Sequence, residues 1–573
     1  MLDRRELLST LSALGIGSAV FHRSLTALSQ EGITVDSIKE AEWISGLELE
    51  DEQRGEILQS VQRSAAGFVE LRKVKLTADV PMAVHFAPTH KHKTVDELTR
   101  VAKPIAKKDS VELPQDDQDI AFLAVHQLAE LVREKKLSSV RLTKIYLERL
   151  KKYEPLLRNV VTMTEELAMK QAKAADEEIA AGKYRGPLHG IPWGAKDLIA
   201  VKGYPTSWGI PHYKDRELEN TATVAKRLED AGAVLVAKLS LGALANGDKW
   251  FGKMTRCPWD PKRGSSGSSA GSACSVVAGL VGFTLGSETL GSIISPSRRC
   301  GASSLRPTFG RVSRDGCMPL SFSLDKIGPI CRSIEDCALV FDAIHGWDGK
   351  DQTANSYDFA WPSKQDLTGL KVGYRKSRRR PDGEREDLKV LKELGCELVE
   401  IELPTDIPLR PLTSIIAIEA GCVFDDLLRA GHTEGWNTWD EDFRAANYVS
   451  AVDYVRVQRA RSLLIESFES AIADVDVLVN VNDLVHTNFT GHPSVILPTG
   501  YRESGEGKAP LTTVLTGKLN EDEKLLAIAQ KFQANFTAHN EHPDLDPWLE
   551  KFEAGTLDEA EKEKELEKKN EDA

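Results

Sequence analysis

The chain has 573 residues, 41% of them hydrophobic and 28% charged. Seventy-four Lys and Arg against 87 Asp and Glu leave a formal charge of −13, which excludes a chain-wide basic surface of the kind that binds nucleic acid or anionic membrane. No stretch approaches about 18 uninterrupted apolar residues, so a multi-pass membrane protein is excluded too, and the length suffices for a large buried core.

Residues 1–29 stand apart. Arg4-Arg5 precedes Glu6 and a short apolar run from Leu7 to Phe21, and Ala27-Leu28-Ser29 has the small residues of a cleavage site. This reads as a twin-arginine export signal and predicts a periplasmic protein; the competing expectation is a cytoplasmic chain that opens with an amphipathic helix. Residues 30–115 are polar and read as an N-terminal helical extension. His85, His90 and His92 lie there, but Lys91 and Lys93 would repel a cation, so a solvated loop is expected rather than a metal site.

From residue 116 the pattern turns globular. Ala124, Leu128, Leu131 and Val132 recur at helical spacing, and Ser138 or Ser139 caps a helix running through Tyr146 and Leu150. Another helix is expected near Glu165–Ala181, ended by the turn residues Gly186 to Pro192. Helix and strand then alternate: helix Thr221–Gly232, strand Ala233–Ala237, strand Leu370–Tyr374, helix Glu386–Gly395, strand Leu398–Leu403. Such alternation predicts an α/β fold with a large mixed, mostly parallel sheet sandwiched between helical layers, over 116–543. A charged C-terminal tail is expected at 544–573, too poor in apolar groups to build a core. The eight cysteines (257, 274, 300, 317, 331, 337, 396 and 422) include no C-x-x-C pair and read as buried thiols rather than a zinc site or a disulfide framework.

The most informative stretch is Gly264-Ser265-Ser266-Gly267-Ser268-Ser269-Ala270-Gly271-Ser272, followed by small apolar residues and then Ser287-Glu288-Thr289-Leu290-Gly291-Ser292-Ile293. A flexible linker would have polar flanks, but Ala273 to Leu285, which follow, are apolar. A phosphate loop would need Gly-Lys-Ser/Thr, which is missing. Gly267 to Gly271 fits the G-x-S-x-G elbow with Ser269 at its centre, but prolines and charges stand where the preceding strand belongs; His345, His432, His486 and His492 are its candidate partners. Ser323-Leu324-Asp325-Lys326 is an S-x-x-K pair without its companion motifs.

The remaining reading is a serine relay driven by lysine. Ser268 and Ser292 are 24 residues apart, and Gly194-Ala195-Lys196-Asp197 lies upstream. In that order and spacing the chain resembles the amidase-signature family, as do Gly310 to Ser313, Asp325 to Ile330 and Asn488 to Pro493. The resemblance implies an amidase that cleaves linear amides through an acyl-enzyme. Ser292 would be the nucleophile, Ser268 the bridging serine on a cis peptide, and Lys196 the base. The backbone N–H groups of Thr289, Leu290, Gly291 and Ser292 would form the oxyanion hole. No metal or organic cofactor is implied. The implied partner is a small-molecule amide, not nucleic acid, for a monomer or homodimer. Two other roles stay open: the glutaminase component of a tRNA-dependent amidotransferase, and a binding protein with a decayed site. Leu290, Ile294 and Leu198 depart from the family's usual glycine, arginine and asparagine. Ser269 and Ser272 are expected to support the loop, and Trp193 and Trp250 either line an acyl pocket or pack structurally.

Overall fold

The computed structural model describes residues 32–76, 83–84, 111–363, 365–376 and 385–557. The export-signal segment, His85, His90 and His92, and the chain beyond 557 lie outside the described residues.

Eleven strands form one sheet: β1 (Val160–Met163), β2 (Pro192–Lys196), β3 (Val234–Leu239), β4 (Phe283–Glu288), β5 (Ser303–Arg306), β6 (Lys326–Cys331), β7 (Lys371–Tyr374), β8 (Glu397–Glu400), β9 (Val477–Val479), β10 (Ser494–Ser504) and β11 (Gly507–Gly517). Their spatial order is β1-β3-β2-β4-β6-β5-β10-β11-β9-β7-β8. The sheet is mixed, as expected, but parallel pairing is confined to two blocks, β3-β2-β4 and β9-β7-β8. The centre, from β4 through to β9, is antiparallel. The cause is visible in the connections. Helix-length crossovers enforce parallel pairing where helix and strand alternate, whereas only Glu506 and its neighbours join β10 to β11, and a tight hairpin can only be antiparallel.

Local chemistry places the elements close to where the sequence puts them. The Ser138 hydroxyl accepts the Arg141 N–H at 3.0 Å and starts the helix Ser139–Leu157, whose Leu142, Ile145, Tyr146, Leu150 and Tyr153 face the core. Helices Glu165–Ala180, Thr223–Asp230 and Glu386–Glu393 follow the predicted periodicity. Every residue of β2 and β3 is buried, as expected for parallel strands covered on both faces.

The chain divides into two compact units, and the boundary is not the expected one at 116. One unit joins the N-terminal helices Val35–Ser45 and Asp51–Leu71 to residues 405–433 and 438–463. Within it Ile38, Leu47, Leu49, Ile57 and Val61 share a cluster with Ala445. The N-terminal segment carries too few apolar residues to close a core by itself and completes one with a distant stretch of chain. The other unit holds the whole sheet. Nor does the chain become a tail at 544: helix Asp546–Glu553 packs Trp548, with Leu557 after it, into the cluster of Leu147, Leu150 and Val234. No described helix is long and apolar enough to cross a membrane.

Candidate active site

Strand β2 lies between two parallel neighbours and ends on Lys196, whose side chain is completely buried. The ammonium nitrogen meets three hydroxyls, donating to Ser268 Oγ at 2.8 Å, Ser287 Oγ at 2.9 Å and Ser269 Oγ at 3.0 Å. Burial pushes its pKa down from 10.5 to about 7, against the pull of the Asp325 and Glu288 charges. Among the described residues no carboxylate is paired with it directly. The neighbouring lysine is the contrast: Lys238 sits 2.7 Å from Asp197, both fully buried. Asp197 also accepts the Ser207 N–H at 2.8 Å, so it anchors the turn after β2 and leaves Lys196 to the serines.

Ser268 follows a cis Gly267–Ser268 peptide, in the loop that enters helix Ala270–Val277. Only glycine fits at 267, because a Cβ there would stand 1.7 Å from the Gly247 carbonyl oxygen. The Ser266 N–H donates to Asp248 at 2.8 Å and fixes the loop from the other side. Ser292 lies in the second loop, half-buried, and its carbonyl accepts the Ser269 N–H at 3.1 Å. The two serine loops are therefore tied by backbone directly beside the lysine.

Glu288 holds the second loop, and nothing in the sequence spacing singles it out. One carboxylate oxygen accepts the N–H groups of Ile293 (2.8 Å) and Ile294 (2.9 Å); the other accepts from Arg306 (2.9 Å) and Asn488 (2.8 Å). Burial opposes its ionisation, but the Arg306 and Lys326 charges and the N–H donors hold its pKa at about 2. Thr289 is pinned likewise: its hydroxyl donates to Asp325 at 2.5 Å, and Lys326 reaches its carbonyl at 3.5 Å. Among the described residues none accepts from the backbone N–H groups of Thr289, Leu290, Gly291 and Ser292. The turn needs a left-handed residue at Gly291 (φ 88°), not at 290, which explains why leucine is tolerated there.

Several sequence expectations sort themselves out here. Ser269 is not the centre of an elbow: its hydroxyl accepts from Lys196 and donates to the Ser287 carbonyl at 3.2 Å, supporting the loop as expected. His492 instead meets Glu469 at 3.0 Å, and His486 the Pro404 carbonyl at 3.2 Å. Ser272 donates to the Leu285 carbonyl at 3.0 Å. Trp193 is buried against Phe283, and Trp250 packs edge-on to Phe251; neither lines the pocket beside the serines. Ser287 is the hydroxyl missed in sequence, although it stands in the quoted motif. The pocket, about 210 Å³, is lined by Leu198, Ser287, Thr289, Met318, Leu320 and Phe322. Charges at its wall are already paired, Arg314 with Asp351 (3.0 Å) and Lys350 with Asp315 (2.8 Å).

Chemically, a buried amine close to neutrality at ordinary pH can take a proton from a hydroxyl it touches. Unengaged N–H groups on a fixed turn can hold a developing oxyanion.

Comparison with known proteins gives one family. The amidase family model matches residues 141–480. The A subunit of the glutamyl-tRNA(Gln) amidotransferase from Carboxydothermus hydrogenoformans is 31% identical over 494 residues, covering 74% of this chain and all of that one. The peptide amidase of Stenotrophomonas maltophilia superposes with a TM-score of 0.66 at 28% identity, over 74% of this chain and 98% of its own. A bacterial aryl acylamidase, 21% identical, shares the fold with a TM-score of 0.65 over 73% of this chain and 98% of its own.

Proposed function

The chain belongs to the amidase family and hydrolyses the C–N bond of a carboxylic amide; from that premise we propose that Ser292 is its nucleophile, Ser268 the bridging hydroxyl and Lys196 the base. The observation that carries the assignment is the fully buried Lys196 nitrogen 2.8 Å from Ser268 Oγ, with its pKa lowered to about 7. Neutral Lys196 takes the Ser268 proton as Ser268 takes that of Ser292, and Ser292 Oγ attacks the amide carbon. The oxyanion is held by the N–H groups of residues 289–292. Collapse of the tetrahedral species expels the amine, which receives the proton back through Ser268. Water then attacks the acyl-Ser292 ester by the same route and frees the acid. The pocket beside Ser287 and Thr289, with Leu198, Met318 and Leu320 in its wall, suits a compact apolar group of the substrate.

The test is ammonia release from a panel of aliphatic, aromatic and amino-acid amides by the purified chain. Wild type should turn over at least one amide, and Ser292→Ala and Lys196→Ala should each lose at least about a thousandfold. Full activity in either variant would refute the assignment.

A second reading is favoured by the relatives named as amidotransferase components: a glutaminase acting with partner proteins. Activity of the lone chain on amides other than glutamine counts against it; activity on glutamine alone, raised by the partner proteins, would establish it. We further propose export through Arg4-Arg5 and the apolar run behind it. Fractionation of a bacterial host should find the chain in the periplasm, and Arg4→Lys/Arg5→Lys should retain it in the cytoplasm.

A further inference from the structure

A second cavity, about 400 Å³, has a composition at odds with the rest of the protein. Among the described residues its wall carries Arg263, Arg298, Arg299, Arg502 and Lys508, and only one carboxylate, Asp260. The chain as a whole is strongly acidic, at −13. Arg263 is 3.2 Å from Asp260, and Lys508 is 3.3 Å from Glu541, so two of the five cations have a partner. Among the described residues no carboxylate lies within ion-pair distance of Arg298, Arg299 or Arg502. A helix C-terminus favours cations in its last turn, and that accounts for Arg298 and Arg299 on helix Ile294–Cys300. It does not account for Arg502 and Lys508, which arrive from the β10–β11 hairpin, or for Arg263, which comes from the ribbon before the first serine loop. Three separate elements bring unlike stretches of sequence to one predominantly basic concavity. Concave walls of low dielectric concentrate such a field, and the planar guanidinium fork matches carboxylate and phosphate oxygens.

The cavity adjoins the two serine loops, and parts of its wall are held in place, although Arg298, Arg299 and Arg502 are themselves exposed. The Trp259 indole N–H donates to the Cys300 carbonyl at 2.8 Å, fixing the end of the arginine-bearing helix. Lys508 is held over the Trp259 and Tyr501 rings, 5.9 Å from each centroid. Ser266 and Ser295 line the same wall, and the Ser295 N–H donates to the Gly291 carbonyl at 2.7 Å. The helix begins two residues after Ser292, so Arg298 stands about 6 Å along its axis.

We infer that this cavity is an anion subsite: it binds a carboxylate or phosphate group of a small molecule through Arg298, Arg299 and Arg502. The inference rests on the amidase reading only for its position beside the reaction. The anionic group has two sources, an acidic substituent carried by the amide substrate or a free anion that acts as an effector. A volume of about 400 Å³ suits either, and a nucleic-acid backbone would need an extended basic track instead.

The test has a binding arm and a kinetic arm on the full chain. Calorimetric titration with inorganic phosphate and with succinate, at constant ionic strength set by chloride, should give saturable binding to wild type. Arg298→Gln/Arg502→Gln should weaken it at least tenfold, Arg298→Lys/Arg502→Lys should keep part of it, and Lys144→Gln, an exposed cation outside this cavity, should leave it unchanged. Thermal melts confirm that the variants fold. In the kinetic arm, an amide bearing a terminal carboxylate is compared with its neutral methyl-ester analogue. If the substrate is the source, the double Gln variant loses at least tenfold in kcat/KM on the acidic amide and under twofold on the neutral one. If a free anion is the source, phosphate or succinate changes turnover of the neutral amide in wild type and not in the variant. Equal binding of both probes by wild type and the double Gln variant, or no saturable binding at all, overturns the subsite. Failure of every amide to react, with anion binding intact, would instead count against the amidase assignment.

Discussion

The protonation state of Lys196, the proposed base, makes the sharpest prediction, because in that role one group would govern both rate and stability. Its pKa falls from 10.5 to about 7 on burial. That difference of 3.5 units corresponds to roughly 5 kcal/mol. For the rate, a Lys196 acting as base must be neutral, so kcat/KM on an uncharged amide should fall about tenfold per pH unit below 6 and level off above 8. For stability, the unfolded chain keeps this proton up to pH 10.5 and the folded chain gives it up near 7. Below 7 the full cost of a buried ammonium is present. Between 7 and 10.5 the unfolded state binds more protons, so this group's cost shrinks as pH rises. The cost is about 5 kcal/mol at pH 6 and about 2 kcal/mol at pH 9. Lys196→Met, which fills similar space without the charge, should therefore gain stability relative to wild type by roughly 3 kcal/mol more at pH 6 than at pH 9. Urea denaturation at the two pH values measures this, beside a pH–rate profile from 5 to 9. A flat profile with an equal stability difference at both pH values would refute the buried-base argument.

Three further outcomes follow from the same geometry. Glu288→Gln leaves the buried Arg306 without its counter-ion and should cost about 3–5 kcal/mol by chemical denaturation, with a fall in kcat as the Ile293 and Ile294 N–H groups loosen; an unchanged denaturation midpoint would contradict the anchoring role. The Glu288 carboxyl titrates near 2 in the fold rather than 4.5, so wild type should lose about 3 kcal/mol of stability as pH falls from 4.5 to 2, and Glu288→Gln should lose less over that range. Gly267→Ala drives a Cβ into the Gly247 carbonyl, so the first serine loop must move; activity should drop at least about a hundredfold while circular dichroism stays close to wild type, and an active Gly267→Ala would show that the loop does not position Ser268.

How much of this is readable in the bare sequence depends on the range of the interaction. The proposed relay of Lys196, Ser268 and Ser292 is legible because the family resemblance supplies an order and spacing, and the Ser138 cap and the β2 and β3 strands because caps and hydrophobic runs are local. Glu288 is not: its partners Arg306 and Asn488 come from β5 and from the helix Leu484–Thr490 that precedes β10, and only folding brings them together. Ser287 escapes notice because alternation along β4 does not say which hydroxyl turns toward a lysine on the next strand. The parallel bias expected for the sheet comes from its helix–strand alternation, which is true of β2–β4 and β7–β9 and silent about the hairpins between them. The N-terminal helices read as an independent extension because their partner residues, 405–463, lie some 350 positions away in the chain.

The account stands or falls on whether position 292 carries the acyl group and depends on position 196 to do so. A fluorophosphonate probe followed by peptide mapping, at pH 8 and pH 5.5, reads both at once. The account predicts a single adduct on Ser292, formed rapidly at pH 8, many-fold slower at pH 5.5, and absent at either pH in Lys196→Met. An adduct on Ser269 or Ser287 instead, or equal labelling of Ser292 in Lys196→Met, would contradict it.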